Sequence, residues 1–215
     1  GQSNPTYLLN AGEQQYVMRR KPPGELLKSA HAVDREYRVM TALAETEVPV
    51  ATTYALCTDD DVIGTWFYIM QFLDGRVIWD STGGSYSPEE RSEFWDSAND
   101  VLARLHNVDY RAVGLNDFGK HGDYISRQIG RWVGQYEYTK TVDNPYMDNL
   151  IDYLPANIPT EDKSACTIVH GDPKIDNMMM HPAKGQVIGV LDWELATLGN
   201  PISDFAYMCM RYRDS

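Results

Sequence analysis

The stretch from Thr167 to Glu194 constrains this chain more than any other. A short apolar run, Thr167 to Val169, ends in His170-Gly171-Asp172, so a buried strand hands over to a loop that can project Asp172 into a cleft. Asn177 then opens a second apolar run, Met178 to Met180. Pro182 to Gly185 makes a turn, and Val187 to Leu191 returns as a strand that delivers Asp192 beside Asn177. A free carboxylate and two further oxygen ligands therefore converge at the end of a hairpin.

That set of groups suits phosphoryl transfer, in which a protein mainly positions reactants and offsets charge. An amide and a carboxylate, Asn177 and Asp192, are hard oxygen ligands for Mg²⁺, while Asp172 can accept the proton of an acceptor hydroxyl. Lys174 lies two residues on, where a cation can offset charge on the transferred phosphate. Asp176 reads as a local loop capper. The protein-kinase pattern is His-Arg-Asp, four residues, then Asn, with a later Asp-Phe-Gly. Here the same spacing reads His170-Gly171-Asp172, Asn177 and Asp192-Trp193-Glu194. Glu194 could touch a second metal or the acceptor.

With Gly for Arg and Trp-Glu for Phe-Gly, the series resembles the aminoglycoside phosphotransferase and choline kinase branch of the kinase-like fold. Within it the chain is most similar to the phosphotransferase-like domains associated with acyl-CoA dehydrogenases. The supporting residues are Tyr16 to Gly24, Ala30 to Tyr37, Arg127-Gln128-Ile129-Gly130-Arg131-Trp132 and Leu198 to Asp204. The resemblance covers nearly the whole chain. It implies an α+β, two-lobed, protein-kinase-like fold: a small N-terminal β-sheet lobe with one helix over residues 1–73, and a larger, mainly helical lobe over 74–215. It also implies ATP and Mg²⁺ as cofactors. Family members usually have a strand before Gly1 and further helices after Ser215, so a fragment is expected.

Charge and cysteine usage narrow the class further. The 215 residues carry a formal charge of −12, which argues against nucleic acid or an anionic membrane as the main partner. ATP must then be met by local cations. The cysteines, Cys57, Cys166 and Cys209, show no paired spacing, so neither a zinc site nor a disulfide framework is indicated, and a cytoplasmic or other reducing compartment is expected. No signal peptide or membrane-length apolar run is visible.

In chain order, the resemblance lays the loop at Ser3 and Asn4 over the ATP phosphates, although a frayed terminus would read the same way. Thr6 to Leu9 and Gln15 to Arg20 form a hairpin. On its return strand Arg19 matches the cation that contacts nucleotide phosphates; the bland alternative is a solvated basic end with Arg20 and Lys21. A helix from about Ala30 to Ala44, capped by Ser29, carries the stripe Val33, Tyr37, Met40 and Ala44. Glu36 borders that stripe. Buried, it would need a cation, and by analogy with kinases that cation is Arg19; otherwise Glu36 is one exposed acid among Asp34, Arg35 and Arg38.

Strands at about 52–57 and 65–70 flank an acidic turn, and Gln71, Phe72 and Leu73 match the linker between lobes whose backbone faces adenine. Ser87-Pro88-Glu89-Glu90 opens a helix to about His106 with the stripe Phe94, Ala98, Val101, Leu102 and Leu105. His106 reads as structural. Asp123 to Lys140 is amphipathic, and its Ile125, Ile129, Trp132, Val133 and Tyr136 either join the core, the commoner fate of such stripes, or line an acceptor pocket. Pro145 to Leu154 is a shorter helix. By resemblance, Asp204 braces the catalytic loop.

The expectation is a kinase moving the γ-phosphate of ATP to a hydroxyl of a small molecule, either a hydroxyacyl compound or its CoA thioester, or an aminoglycoside or amino alcohol. A catalytically idle nucleotide-binding or scaffold module is the alternative.

Overall fold

A computed structural model of the chain describes residues 4–22, 32–80, 86–160 and 165–210. At its N-terminal end, strands β1 (Thr6–Ala11) and β2 (Gln14–Arg20) form a hairpin turning at Gly12, whose φ of 65° suits a residue without a Cβ. β3 (Thr53–Cys57) and β4 (Phe67–Gln71) complete a four-stranded antiparallel sheet of order β1-β2-β4-β3. β2 pairs with β4 in a register that sets Arg19 opposite Tyr68.

Helix α1 (Val33–Leu43) lies on this sheet. Its buried face is Val33, Glu36, Val39, Met40 and Leu43, so the expected stripe was rotated: Val39 and Leu43 are inside and Ala44 is exposed. Ser29, the expected cap, lies outside the described residues. The acidic turn before β4 is instead a one-turn helix, α2 (Asp60–Ile63). Asp59 accepts the Asp61 N–H at 2.9 Å and left-handed Gly64 ends the helix.

After β4 the chain crosses through a short strand, β5 (Arg76–Val77), into the helical part. Helix α3 (Pro88–Asn107) starts with a full capping box, in which Ser87 and Glu90 each accept the other's backbone N–H, and it buries the expected stripe from Phe94 to Leu105. Helices α4 (Tyr124–Thr139) and α5 (Pro145–Ala156) pack on each other. Asn144 caps α5, and Pro145 occupies its first turn.

Between α5 and the last helix lie four short strands, β6 (Thr167–Val169), β7 (Met178–Met180), β8 (Val187–Val190) and β9 (Thr197–Gly199). β7 and β8 form the expected hairpin and β5 extends it, whereas β6 pairs with β9 in a separate two-stranded ladder. Helix α6 (Pro201–Met210) follows, with Asn200 accepting the Ile202 N–H. Val190 donates to the Pro49 carbonyl at 2.8 Å, and Arg35 of α1 to the Phe118 and Ala196 carbonyls. These bonds fix the sheet and α1 to the hairpin and the segments beside it. This is a mixed α+β, kinase-like architecture. Among the described residues, no helix is long and apolar enough to cross a membrane.

Candidate active site

β6, paired with β9, and β7 hold the two ends of the loop that carries Asp172. Gly171 has a φ of 85°, and a Cβ there would lie 2.8 Å from the Leu195 carbonyl oxygen; both facts restrict the position to glycine. Asp204, fully buried on α6, accepts the N–H groups of His170 at 2.7 Å and Gly171 at 2.9 Å, and His106 Nε2 lies 3.1 Å from it. One carboxylate thus satisfies two loop donors and ties α3 and α6 to the loop.

His170 locks the loop from the other side. Its Nε2 lies 2.8 Å from the Leu191 carbonyl, which only accepts, and its Nδ1 lies 3.2 Å from the Asp172 N–H, which only donates. The two bonds define the Nε2–H tautomer. Its ring packs on Trp193 at 4.8 Å between centroids, and the Trp193 indole N–H is held by the Val190 carbonyl. Neither residue received a role from the sequence. The signal was their position, two before Asp172 and one after Asp192.

Asp172 is fixed through one oxygen. Asn177 Nδ2 donates to Asp172 Oδ2 at 2.9 Å, and Lys174 Nζ lies 3.1 Å from the same atom. Lys174 also approaches Asp176 at 3.6 Å. Burial works against the Lys174 charge, but the bond to Asp172 and the charges of Asp172 and Asp176 outweigh it and raise its pKa. Leu191 donates to the Asn177 carbonyl at 2.8 Å, so Asn177, just before β7, and Asp192, just after β8, lie together at one end of the hairpin. Asp192 has a φ of 63°, a left-handed conformation that Asp tolerates better than most residues.

Arg19, Glu36 and Asp192 are brought together. Arg19 Nε lies 2.9 Å from Glu36 Oε2, close enough for an ion pair though not aligned as a hydrogen bond, and its NH2 donates to Asp192. Burial works against the Arg19 charge; Glu36, Tyr68 and Asp192 more than restore it and raise its pKa. Burial pushes the Glu36 carboxyl up to about 7 against the pull of Arg19, with Asp192 adding to the rise and bonds from Asn4 and Tyr68 opposing it. Arg19 is therefore the settled charge of the pair and Glu36 the group that can change.

The Asn4 side chain is fully buried and donates to Glu36 Oε1 at 2.6 Å, so it braces the ion pair. A short polar side chain beside a buried carboxylate is drawn to that carboxylate. Ser3 lies outside the described residues.

Gln71, Phe72 and Leu73 line a cavity of about 210 Å³ together with Val17, Arg19, Leu191 and Asp192. The Gln71 N–H is already taken by the Thr52 carbonyl at 2.8 Å, so of this trio Phe72 and Leu73 retain backbone groups for a ligand edge. A second cavity, of about 350 Å³, opens beside Gly171 and Leu195 and is walled by α4 and α5. Ile125, Ile129, Trp132, Val133 and Tyr136 all line it and none is buried, so the α4 stripe is a pocket wall and not core. Among the described residues no cluster of three or more His, Cys, Asp or Glu forms a metal cage.

A carboxylate positioned beside an apolar pocket, on this architecture, defines the kinase-like phosphotransferases. The comparisons narrow that class. All of residues 1–215 match the family described as phosphotransferase enzyme family. The chain is 49% identical over 223 residues to the Arabidopsis thaliana protein named "Probable acyl-CoA dehydrogenase IBR3", covering 99% of itself and 27% of that protein. Against the crystal structure of a "putative aminoglycoside phosphotransferase" from Ralstonia eutropha JMP134 it is 52% identical at a TM-score of 0.88, covering 99% of itself and 62% of that chain. The ternary complex of APH(2")-IIa with streptomycin and ATP shares the fold at 19% identity and a TM-score of 0.60, over 94% of this chain and 69% of that one. The chain belongs to the phosphotransferase enzyme family. It spans about a quarter of the Arabidopsis relative, so that protein's overall activity is not transferred to it.

Proposed function

We propose that this chain transfers the γ-phosphoryl group of ATP to a hydroxyl of a small molecule, and that the preferred acceptor is a hydroxyacyl compound or its CoA thioester. The observation that carries the reading is the Asp172 carboxylate, held through Oδ2 by both Asn177 and Lys174 within one residue of an apolar cavity. Its other oxygen is left for the acceptor. As the acceptor oxygen bonds to the γ-phosphorus and the bond to the β-γ bridging oxygen breaks, the hydroxyl proton passes to Asp172 and ADP leaves. Lys174 offsets charge at the transferred group. Arg19 faces the phosphates, Phe72 and Leu73 the base, and Glu36 and Asn4 keep Arg19 in place.

The donor set fits Mg²⁺. Asp192 supplies a carboxylate, and the Asn177 amide nitrogen faces Asp172, which leaves its oxygen as a neutral hard ligand; two such ligands suffice for an ion that keeps waters and phosphate oxygens around it. When bound, the ion offsets the charge of the phosphate chain. Support for the acyl acceptor comes from the apolar wall of the second cavity and from a relative named as an acyl-CoA dehydrogenase. We also place the lobe boundary after Leu73, giving 1–73 and 74–215, and a reducing compartment, in keeping with the free thiols of Cys57, Cys166 and Cys209.

One contact favours an idle nucleotide-binding or scaffold module instead: Arg19 reaches Asp192, the carboxylate that would ligate the metal. The test is ATP consumption against hydroxyacyl-CoAs, aminoglycosides and amino alcohols, with Asp172→Asn as control. Turnover on one class, reduced roughly 10²–10⁴-fold in the control while ATP binding persists, supports the kinase. ATP binding without acceptor-dependent turnover supports the idle module.

A further inference from the structure

Next to the apolar cavity lies another, of about 440 Å³, whose wall reverses the charge of the molecule. In a chain with 31 acidic and 19 basic residues, this cavity is lined by Arg35, Lys120, Arg127 and Arg131 against only Asp117 and Glu194. Asp117 is already engaged from outside by Arg38. Two of the cations are held: Arg127 donates to the Lys120 carbonyl at 2.8 Å, and Arg35 lies over the Phe118 ring at 4.2 Å while donating to the Phe118 and Ala196 carbonyls. Burial first, then the neighbouring Arg38, pulls the Arg35 pKa below its ordinary value, as befits a half-buried cation whose acidic neighbours do not compensate fully.

The two cavities adjoin. Tyr124, Gln128, Arg131 and Leu195 line both. On α4, Tyr124, Arg127, Gln128 and Arg131 recur at helical spacing along one face, while Ile125, Ile129 and Trp132 turn to the apolar side. A single helix thus separates an apolar chamber from a cationic one.

We propose that the cavity lined by Arg35, Lys120, Arg127 and Arg131 is an anion subsite, which holds a phosphate or carboxylate group of the acceptor while the acceptor's apolar segment lies in the adjoining cavity. The inference rests on the reading that the α4–α5 cavity receives the acceptor. It selects amphipathic anions and works against polycationic acceptors, whose charge the four cations would repel. Forked guanidinium groups suit both oxyanions, and their bonds to charged groups are the stronger kind.

The test is direct binding, by calorimetry, of octyl phosphate, octanoate, octan-1-ol and octylamine to the chain, with ADP present to occupy the nucleotide cavity. The two anions are expected to bind at least about tenfold more tightly than octan-1-ol, and octylamine more weakly. Arg127→Gln/Arg131→Gln should remove that preference and leave octan-1-ol binding unchanged. Arg131→Gln alone, at an exposed position, should remove part of it without affecting folding. The tighter anion identifies the group as phosphate or carboxylate. Equal binding of anions and alcohol, a preference that survives the double variant, or no binding of any probe overturns the proposal. Failure of the kinase reading would show separately, as absent ATP turnover with the anion preference intact.

Discussion

Asp204 and Glu36 are both buried carboxylates, and their surroundings give them opposite characters. Asp204 accepts two backbone N–H groups and faces His106, so its oxygens are taken up by the loop and α3. Replacing it by Asn turns an amide N–H toward one of those donors. Asp204→Asn should cost roughly 1–3 kcal/mol in denaturant unfolding and lower kcat more than nucleotide affinity, since the bonds it loses hold the Asp172 loop. Glu36 has a single cation and a dry setting. Its pKa rises from an ordinary 4.5 to about 7 in the folded chain, so the folded state holds its proton over a range where the unfolded state releases it. Its contribution to stability is fully present below about 4.5 and lost as pH rises through about 7. Thermal unfolding of wild type and Glu36→Gln should therefore converge at the acidic end of that range, with wild type losing on the order of 2–3 kcal/mol relative to the variant by its upper end. A constant difference between the two would show that Glu36 is charged throughout.

Among the elements, the tight turn at Gly171 tolerates little change. A Cβ there meets both a left-handed backbone and the Leu195 carbonyl. Gly171→Ala should cost roughly 1–3 kcal/mol and displace Asp172, so that turnover falls while ATP affinity, measured by titration, is retained. The elements also differ in how far the sequence revealed them. α3 was legible to within a residue, because a capping box and a five-residue apolar stripe agree with each other. The α1 stripe was misplaced by part of a turn, since Tyr37 and Val39 are both apolar and only the sheet beneath decides which lies inside. α4 was more misleading. Its stripe looks like any buried helix face, yet α5 covers it only in part, so it became the wall of a pocket.

At the scale of the whole molecule, 12 surplus negative charges act on a sheet and a helical part that share one hydrophobic core and are bridged by bonds such as Arg19 to Asp192. Raising the salt from a few millimolar to about 0.15 M should raise the unfolding midpoint at pH 7, because surface repulsion is screened more strongly than buried pairs. A fall in the midpoint would mean that ion pairs outweigh the repulsion. The resemblance of its motifs to a known family implied the kinase-like fold, and the sequence by itself determined the hairpin that carries Asn177 and Asp192 and the loop that presents Asp172. Those features are written in local spacing, turn residues and period-two runs, which act over a few residues. Only the tertiary structure decided that Asn4 braces Glu36, that Arg19 reaches Asp192, and that Arg35, Lys120, Arg127 and Arg131 surround one cavity. Such partnerships join residues far apart in the chain, and they depend on which groups burial leaves within reach of one another.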